Sequence, residues 1–203
     1  MDIYHEHIPI EKLEKRQSQH QFDTICFGSK VRHDVYDCTP CFLNSKEALS
    51  GIGLKVDFLR IALFDIWMAN DDRTPNNPNL LISLDSGKQK RFVAIDHAAT
   101  FNTGFLERPL YELSWEDSIL YAPLFAAIFQ NTNKDLQVVE YTLQAFYRYV
   151  QICENELPSI LNSIPVDWLS NPHLYLSRCK SALFSGNWLK TVENTFRTFV
   201  SQV

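Results

Sequence analysis

Acidic and amide side chains follow one another in a fixed order in the middle of this 203-residue chain. Asn77 lies five positions after Asp72, and Asn79 lies two positions further on. Asp96 ends the second of the two apolar runs that come next. Mg²⁺ prefers hard oxygen ligands, which carboxylates and side-chain amides supply. Phosphoryl transfer needs such ligands together with a carboxylate that orients or deprotonates the acceptor hydroxyl. The order therefore indicates a magnesium and phosphate site in which Asp72 faces the hydroxyl.

Two asparagines are candidates for one metal ligand. Asn77 has the five-residue spacing from Asp72, whereas Asn79 immediately precedes an apolar run. Asn, Asp and Pro are also the residues that turns favour, so any one of these positions taken alone is explained by a loop around Pro75 and Pro78. The ordered set, with apolar strands between its parts, favours the phosphate site.

A short β-hairpin is expected to bring the parts of this site together. Residues 80–84 and 91–95 are predicted as its strands, and Gly87 in the connection can adopt a positive φ. The exit of a hairpin lies near its entry, so Asp96 is expected close to the two asparagines.

Helices are predicted on both sides of the hairpin. Apolar residues recur at three- and four-residue steps over residues 54–70, which predicts a helix there. Later helices are predicted over residues 118–129 with an interruption at Pro123, over 135–157 with Asn133 as N-cap and Pro158 just past the end, and over 172–184 and 188–200.

The first 53 residues differ from the rest of the chain. Their apolar residues show no regular spacing, which predicts an irregular segment. One helix is predicted near residues 11–19, and another that starts at Ser45 and ends at Gly51 or Gly53. We therefore expect an irregular N-terminal segment, residues 1–53, followed by a mainly helical body, residues 54–203.

Three sequence blocks resemble the catalytic region of HipA-like kinases. They are residues 64–74 (FDIWMANDDRT), 77–81 (NPNLL) and 95–99 (IDHAA). This family is related more distantly to lipid phosphoinositide kinases and to protein kinases. The resemblance implies an α+β, mainly helical fold like the large lobe of a protein kinase, in which a short β-hairpin carries the metal site.

The resemblance also implies a role for each site residue. Asp72 would be the catalytic carboxylate, Asn77 or Asn79 and Asp96 would bind Mg²⁺, Arg73 and Asn70 would brace the loop, and His97 would lie beside the metal ligand. ATP and Mg²⁺ are the implied cofactors.

A complete kinase also has a small lobe that covers ATP with a glycine-rich loop and a strand lysine. Only 71 residues precede Asp72, and they contain three separated glycines and no glycine-rich loop. Lys30 is the nearest candidate for the lysine. The N-terminal segment is then interpreted as a remnant of a small lobe, as a connection to one or as a reduced substitute for one. A further expectation is a partner protein that supplies the nucleotide-binding lobe.

Two functions follow from these observations. The leading hypothesis is an ATP- and magnesium-dependent phosphotransferase that acts on a Ser or Thr hydroxyl of a protein substrate, alone or as the large-lobe half of a split kinase. The alternative is a non-catalytic, pseudokinase-like interaction protein, such as a component of a toxin–antitoxin or defence system.

Composition and charge exclude some classes of protein. The net charge is -5, with 45% hydrophobic and 21% charged residues, which is typical of a soluble globular protein. This balance argues against a broad basic surface for duplex DNA. The sequence shows no signal-peptide pattern and no apolar run long enough to span a bilayer, so a cytoplasmic location is expected.

The cysteines are predicted to be free thiols. There are five of them, an odd and scattered set. Cys38 and Cys41 form a CxxC pair, but a zinc site needs two more ligands and His33 is the only near candidate. A turn around Pro40 is therefore favoured over a redox or zinc site.

Overall fold

The computed structural model describes residues 34–38, 52–84, 90–104, 106–129, 136–169 and 171–202. Within these ranges the chain is mainly helical with one three-stranded antiparallel sheet. This α+β architecture agrees with the predicted fold class and is consistent with a kinase-like fold. The predicted helix at residues 11–19, the predicted helix start at Ser45, and the candidates Lys30, Gly87 and Asn133 lie outside these ranges. The division of the chain at residue 53 stays a prediction.

The described ranges contain six α-helices, three strands and one 3₁₀ turn. The helices are α1 (Ile52–Met68), α2 (Thr100–Gly104), α3 (Pro123–Phe129), α4 (Leu136–Asn162), α5 (Pro172–Leu183) and α6 (Gly186–Ser201). The strands are β1 (Val35–Asp37), β2 (Leu80–Leu84) and β3 (Lys90–Ala94), and a 3₁₀ turn covers Ile119–Tyr121. Of the helices just named, none is both long enough and apolar enough to cross a membrane.

Helix α1 forms the centre of the core. Its buried apolar side chains lie on most sides of the helix: Leu54, Phe58, Leu59, Ala62, Leu63, Ile66 and Trp67. A helix that is apolar on most sides must be covered on most sides, and α1 contacts β3, α3, α4 and α6. The Phe58 ring lies 5.9 Å from that of Phe92 in β3 and 5.8 Å from that of Phe125 in α3.

Two tryptophans attach the C-terminal end of α1 to the last two helices. The indole N–H of Trp67 donates to the Leu183 carbonyl at the end of α5, at 2.8 Å. The indole N–H of Trp188 in α6 donates to the Trp67 carbonyl at 3.0 Å. Buried indoles need such partners, and these two bonds fix the end of α1 from which the next loop leaves.

The predicted hairpin is confirmed, with its second strand starting and ending one residue earlier than expected. Strands β2 and β3 are antiparallel, and Ile82 lies opposite Phe92. Both of these side chains are buried. Strand β1 was not predicted; it pairs antiparallel with β2, with Tyr36 opposite Ile82. Three residues are too few to show the alternation that identifies a strand.

Two helix predictions that relied on proline positions differ from the structure. The interruption expected at Pro123 is the start of α3, because proline suits the first position of a helix, where its missing N–H has no intrahelical acceptor. The predicted helix end before Pro158 is wrong, since α4 continues to Asn162 with Pro158 inside it. The lost hydrogen bond is offset by Leu161, which is buried in the last turn. Of the two ends predicted for the preceding short helix, Gly53 is wrong because it lies in the first turn of α1, and Gly51 lies outside the described residues.

The described cysteines behave as predicted. Cys38, Cys153 and Cys179 are free thiols. Burial raises the pKa of Cys38 and of Cys179, which favours the unreactive thiol over the thiolate. Cys41 and His33 lie outside the described residues.

Candidate active site

The C-terminal end of α1 presents the candidate site. Ala69 adopts a left-handed conformation (φ 47°), and its N–H donates to the Ile66 carbonyl at 3.3 Å. The Asn70 N–H donates to the Asp65 carbonyl at 2.9 Å. Together these bonds form a Schellman motif, which ends the helix. The predicted continuation of the helix to Asn70 is therefore wrong by two residues.

A buried ion pair joins α1 to the loop that follows it. Arg73 is 1% exposed. Its Nε lies 2.9 Å from Oδ2 of Asp65 and donates to Oδ1 at 3.1 Å, and Asn70 Nδ2 donates to the same Oδ1 at 2.8 Å. Burial raises the pKa of Asp65 to about 6, against the opposing effects of Arg73 and Asn70. The ionised carboxylate is therefore favoured at neutral pH. Its Oδ1 accepts two hydrogen bonds, whereas Oδ2 has the ion-pair contact with Arg73 and no hydrogen-bond partner among the described residues.

The guanidinium of Arg73 also binds the two ends of the hairpin. Its Nη1 donates to the carbonyls of Asn79 at 2.6 Å, Ile95 at 3.0 Å and Pro78 at 3.3 Å. Hydrogen bonds from a charged donor are among the strongest in proteins. Arg73 thus fixes the chain just before β2 relative to the chain just after β3.

Asp72 lies at the centre of a group of polar side chains. Asn77 Nδ2 donates to the Asp72 carboxylate oxygen Oδ2 at 3.1 Å and to its backbone carbonyl at 3.2 Å. Asn79 Nδ2 donates to the same Oδ2 at 3.4 Å. A tight turn allows this approach, because Thr74 and Asn77 exchange backbone hydrogen bonds of 3.2 and 3.1 Å. Both candidate asparagines therefore contact Asp72.

Asp96 lies at the exit of the hairpin, beside Asn79. The Ile95 N–H donates to the Asn79 carbonyl at 3.0 Å. The Asp96 side chain is exposed, and its Oδ1 accepts from the Ala98 N–H at 3.4 Å. Within the described ranges no hydrogen bond or ion pair joins this carboxylate to Asp72 or to either asparagine. The hairpin thus brings Asp96 to the same edge of the molecule as Asp72, with its carboxylate open to solvent.

Unusual backbone conformations are concentrated around these residues. The described residues other than glycine with a positive φ are Ala69, Asn79, Asp96, Phe101 and Asn102. Ala69 and Asn79 lie in the loop between α1 and β2, Asp96 follows β3, and Phe101 and Asn102 lie in the short helix α2. Such conformations are rare for residues with a Cβ and persist where the surrounding contacts impose them, often at functional sites.

A family model described as HipA-like kinase matches residues 7–194. The chain belongs to the HipA-like kinase family. The resemblance expected from the three sequence blocks is therefore confirmed, and the match includes every residue of the cluster around Asp72. Searches of curated proteins and of solved structures found no match.

His97 follows Asp96 and contacts helix α1. Its ring packs edge-on against Phe64, with centroids 5.7 Å apart. Burial lowers the pKa of His97, the charge of Arg73 lowers it further, and Asp96 acts in the opposite direction. A neutral imidazole is therefore favoured at pH 7.

The donor set fits Mg²⁺ that is held jointly with nucleotide phosphates. Asp72, Asp96 and the two asparagines offer carboxylate and amide oxygens, which are the hard ligands that Mg²⁺ prefers. The described part of the chain has no group of three or more His, Cys, Asp or Glu side chains that could bind a metal by themselves. These observations agree, because Mg²⁺ at phosphoryl-transfer sites usually takes only one or two carboxylates and completes its shell with phosphates and water.

Asn102 is a residue of this region that the sequence did not reveal. Its N–H donates to the Ala69 carbonyl at 2.8 Å. Its side chain pairs with the backbone of Tyr111, accepting the N–H at 3.0 Å and donating to the carbonyl at 3.3 Å. Asn102 therefore joins the end of α1 to the segment that follows α2. The one available sequence signal is that Asn tolerates a left-handed backbone.

Proposed function

We propose that this chain is a kinase-type phosphotransferase that moves the terminal phosphoryl group of Mg²⁺-bound ATP to a Ser or Thr hydroxyl of a protein. The observation that carries the proposal is the convergence of Asn77 and Asn79 on the Asp72 carboxylate, at the edge where Asp96 leaves the hairpin. Family membership supports the reaction class. The nucleotide, the metal and the hydroxyl acceptor are our inference from the types of side chain present.

We assign to Asp72 the role of binding the acceptor hydroxyl. Its carboxylate orients the hydroxyl and takes its proton, while the hydroxyl oxygen forms a bond to the terminal phosphorus and the bond from that phosphorus to the ADP oxygen breaks. The amides of Asn77 and Asn79 hold the carboxylate in one orientation through Oδ2. Orientation of this kind is a large part of catalysis in phosphoryl transfer.

Asn77 or Asn79, together with Asp96, would hold Mg²⁺, which when bound neutralises charge on the phosphates. Arg73 is assigned a positioning role, because its three carbonyl contacts keep Asn79 and the exit of β3 at a fixed separation. Asn70 supports Arg73 through the carboxylate of Asp65 that they share.

The nucleotide needs a cover that the catalytic loop and hairpin do not supply. No glycine-rich loop precedes Asp72 in this sequence. A small lobe would therefore come from a partner protein, from further sequence or from an unrecognised arrangement of the first 53 residues. Phosphorylation by the chain alone and in the presence of candidate partners distinguishes these arrangements.

The proposal is tested by transfer of labelled phosphate from ATP to protein. Asp72→Asn and Asp96→Asn should each lower the rate by at least about a hundredfold, the scale of general-base and charge-stabilising groups. Asp71→Asn is the matched control, since it removes the same charge one residue earlier, from a side chain with no ion pair among the described residues. Full activity in both site variants would overturn the assignment.

The second candidate is a non-catalytic, pseudokinase-like interaction protein, for example in a toxin–antitoxin or defence system. The lack of a glycine-rich loop before Asp72 favours it. The two functions differ in their response to Mg²⁺–ATP. Ligand at about 100 times its Kd adds about 2.7 kcal/mol of stability, which for a domain of this size raises the Tm by about 5–10 °C. An unchanged Tm would support the non-catalytic function.

A further inference from the structure

An open crevice runs between α1 and α4, on the surface next to the candidate site. Side chains from the first halves of both helices, including Asp57 and Tyr141, line a pocket of about 450 Å³. Side chains from their second halves, including Trp67 and Cys153, line a second pocket of about 270 Å³. The two helices therefore run side by side in the same direction. Arg60 lines both pockets and marks the boundary between them.

The smaller pocket is apolar and has exposed walls. Leu63, Phe146 and Val150 are buried beneath it. Its rim includes Phe64, which is 36% exposed, and Tyr149, which is 44% exposed. Two large aromatic rings beside an apolar depression are a contiguous apolar surface of the kind that marks interaction sites, unlike scattered single residues.

The charge in the crevice is positive and lies at Arg60. The Arg60 guanidinium faces the rings of Tyr141 and Tyr149 at 5.6 and 6.0 Å. Its one hydrogen bond within the described ranges is a long one, 3.4 Å to the Tyr141 hydroxyl, and no carboxylate there lies within ion-pair distance. Arg91 in the larger pocket differs, because Asp57 neutralises it through contacts of 2.6 and 2.9 Å.

A second arginine, Arg148, lines neither pocket but lies beside Tyr149 at the rim of the smaller one. The Arg148 guanidinium lies 5.4 Å from the centre of the Tyr149 ring, and no ion pair to it is found in the described part of the chain. Glu154 and Glu156 follow Cys153 along α4. Positive charge therefore lies near the middle of the crevice, and negative charge follows its far end along α4. The chain as a whole carries a net charge of -5, so this local excess of positive charge is not a general property of the surface.

We propose that the crevice between α1 and α4 binds an amphipathic, acidic helix of a partner protein. A groove between two helices accepts the side-chain ridge of a third. An aromatic or branched aliphatic side chain of that helix fills the smaller pocket, and a carboxylate about one turn away pairs with Arg60. The crevice from Gly53 to Trp67 spans about 21 Å at 1.5 Å per residue, which matches about four turns of helix. This inference does not depend on phosphoryl transfer.

The crevice lies next to the candidate active site, so a helix bound in it would be close to that site. Phe64, one wall of the smaller pocket, is in contact with His97, which follows Asp96. The neighbour of Phe64 in α1 is Asp65, the partner of Arg73. A helix bound here would lie at the margin of the candidate active site, where a substrate protein or a regulator could be held.

The test uses a synthetic 16-residue amphipathic helix with Leu and Phe along one face and Glu on both flanks, labelled for fluorescence anisotropy. We expect micromolar binding to the full chain. Tyr149→Ser and Arg148→Glu, both exposed positions where folding is not at risk, should each weaken binding at least tenfold. Tyr121→Ser, an exposed tyrosine outside the crevice, is the matched control and should bind as wild type does. Circular dichroism verifies the fold of each variant.

Two further arms make the result decisive. The same peptide with Lys in place of Glu should bind at least tenfold more weakly to wild type and regain affinity for Arg148→Glu. Bound Glu peptide should also slow alkylation of Cys153 by iodoacetamide, measured by mass spectrometry. Absence of binding, equal binding of both peptides, or unchanged alkylation of Cys153 would overturn the proposal. Repeating the binding with Asp72→Asn, which should bind normally, separates it from the proposed reaction.

Discussion

Replacing Arg73 by Met removes the charge that the buried Asp65 carboxylate requires. Methionine has a similar length and no charge, so the change leaves a carboxylate that is 5% exposed without its cation. Removal of one partner from a buried ion pair costs about 3–5 kcal/mol. The carbonyls of Asn79 and Ile95 also lose their charged donor. For a domain of this size the expected fall in Tm is about 6–20 °C.

Urea denaturation at pH 7.5, followed by circular dichroism, gives the free energy of unfolding of each variant. Arg178→Met is the matched control, because its ion pair with Glu107 is solvent-exposed and should contribute at most about 1 kcal/mol. The double variant Asp65→Asn/Arg73→Met should be more stable than Arg73→Met alone, since it no longer buries an unpaired charge. An Arg73→Met protein as stable as the control, or a double variant no better than the single one, would refute the reasoning.

Three other perturbations have defined outcomes. Burial raises the pKa of Asp65 from 3.8 to about 6, so protonation favours the folded state and stability is lost as the pH rises between these values. In urea titrations, wild type should lose about 2.5 kcal/mol relative to Asp65→Asn between pH 4 and pH 7. A constant difference would count against the raised pKa. Ala69→Gly should raise the free energy of unfolding by about 0.5–1 kcal/mol, because glycine adopts the left-handed conformation without the Cβ penalty; a loss of stability would contradict this. Asn102→Ala should lower it by about 1–3 kcal/mol and slow any phosphoryl transfer, since the Tyr111 backbone loses both of its side-chain partners, whereas Asn187→Ala, at an exposed position in the first turn of α6, should do neither.

The parts of the fold that the sequence predicted are those with strong local patterns. The apolar period of α1 and the apolar strands on either side of a glycine-containing connection identified the helix and the hairpin. The end of α1 was misplaced because a glycine usually marks a Schellman motif, and here Ala69 takes that position. The extent of α4 was misjudged because the burial of Leu161, a tertiary effect, outweighs the local effect of Pro158.

The site shows the same division between local and long-range information. Asp72, Asn77 and Asn79 lie within eight residues, so their spacing along the chain was enough to suggest that they meet. The importance of Asp65 could have been inferred from a carboxylate between apolar residues in the second half of α1, because a charge buried among such residues needs a partner. The link from Asn102 to Tyr111 depends on two left-handed residues in succession, Phe101 and Asn102, and no sequence pattern specifies that geometry.

The central claim is that Asp72, Asp96 and one of the asparagines form a magnesium and nucleotide site. The most direct measurement is a crystal structure of the protein with Mg²⁺ and a non-hydrolysable ATP analogue. We expect the metal at about 2.0–2.1 Å from an Asp96 carboxylate oxygen and from Oδ1 of Asn77 or Asn79, with Asp72 facing the terminal phosphate. A crystal in which nucleotide is absent, or in which metal and phosphates contact other residues, would contradict the account.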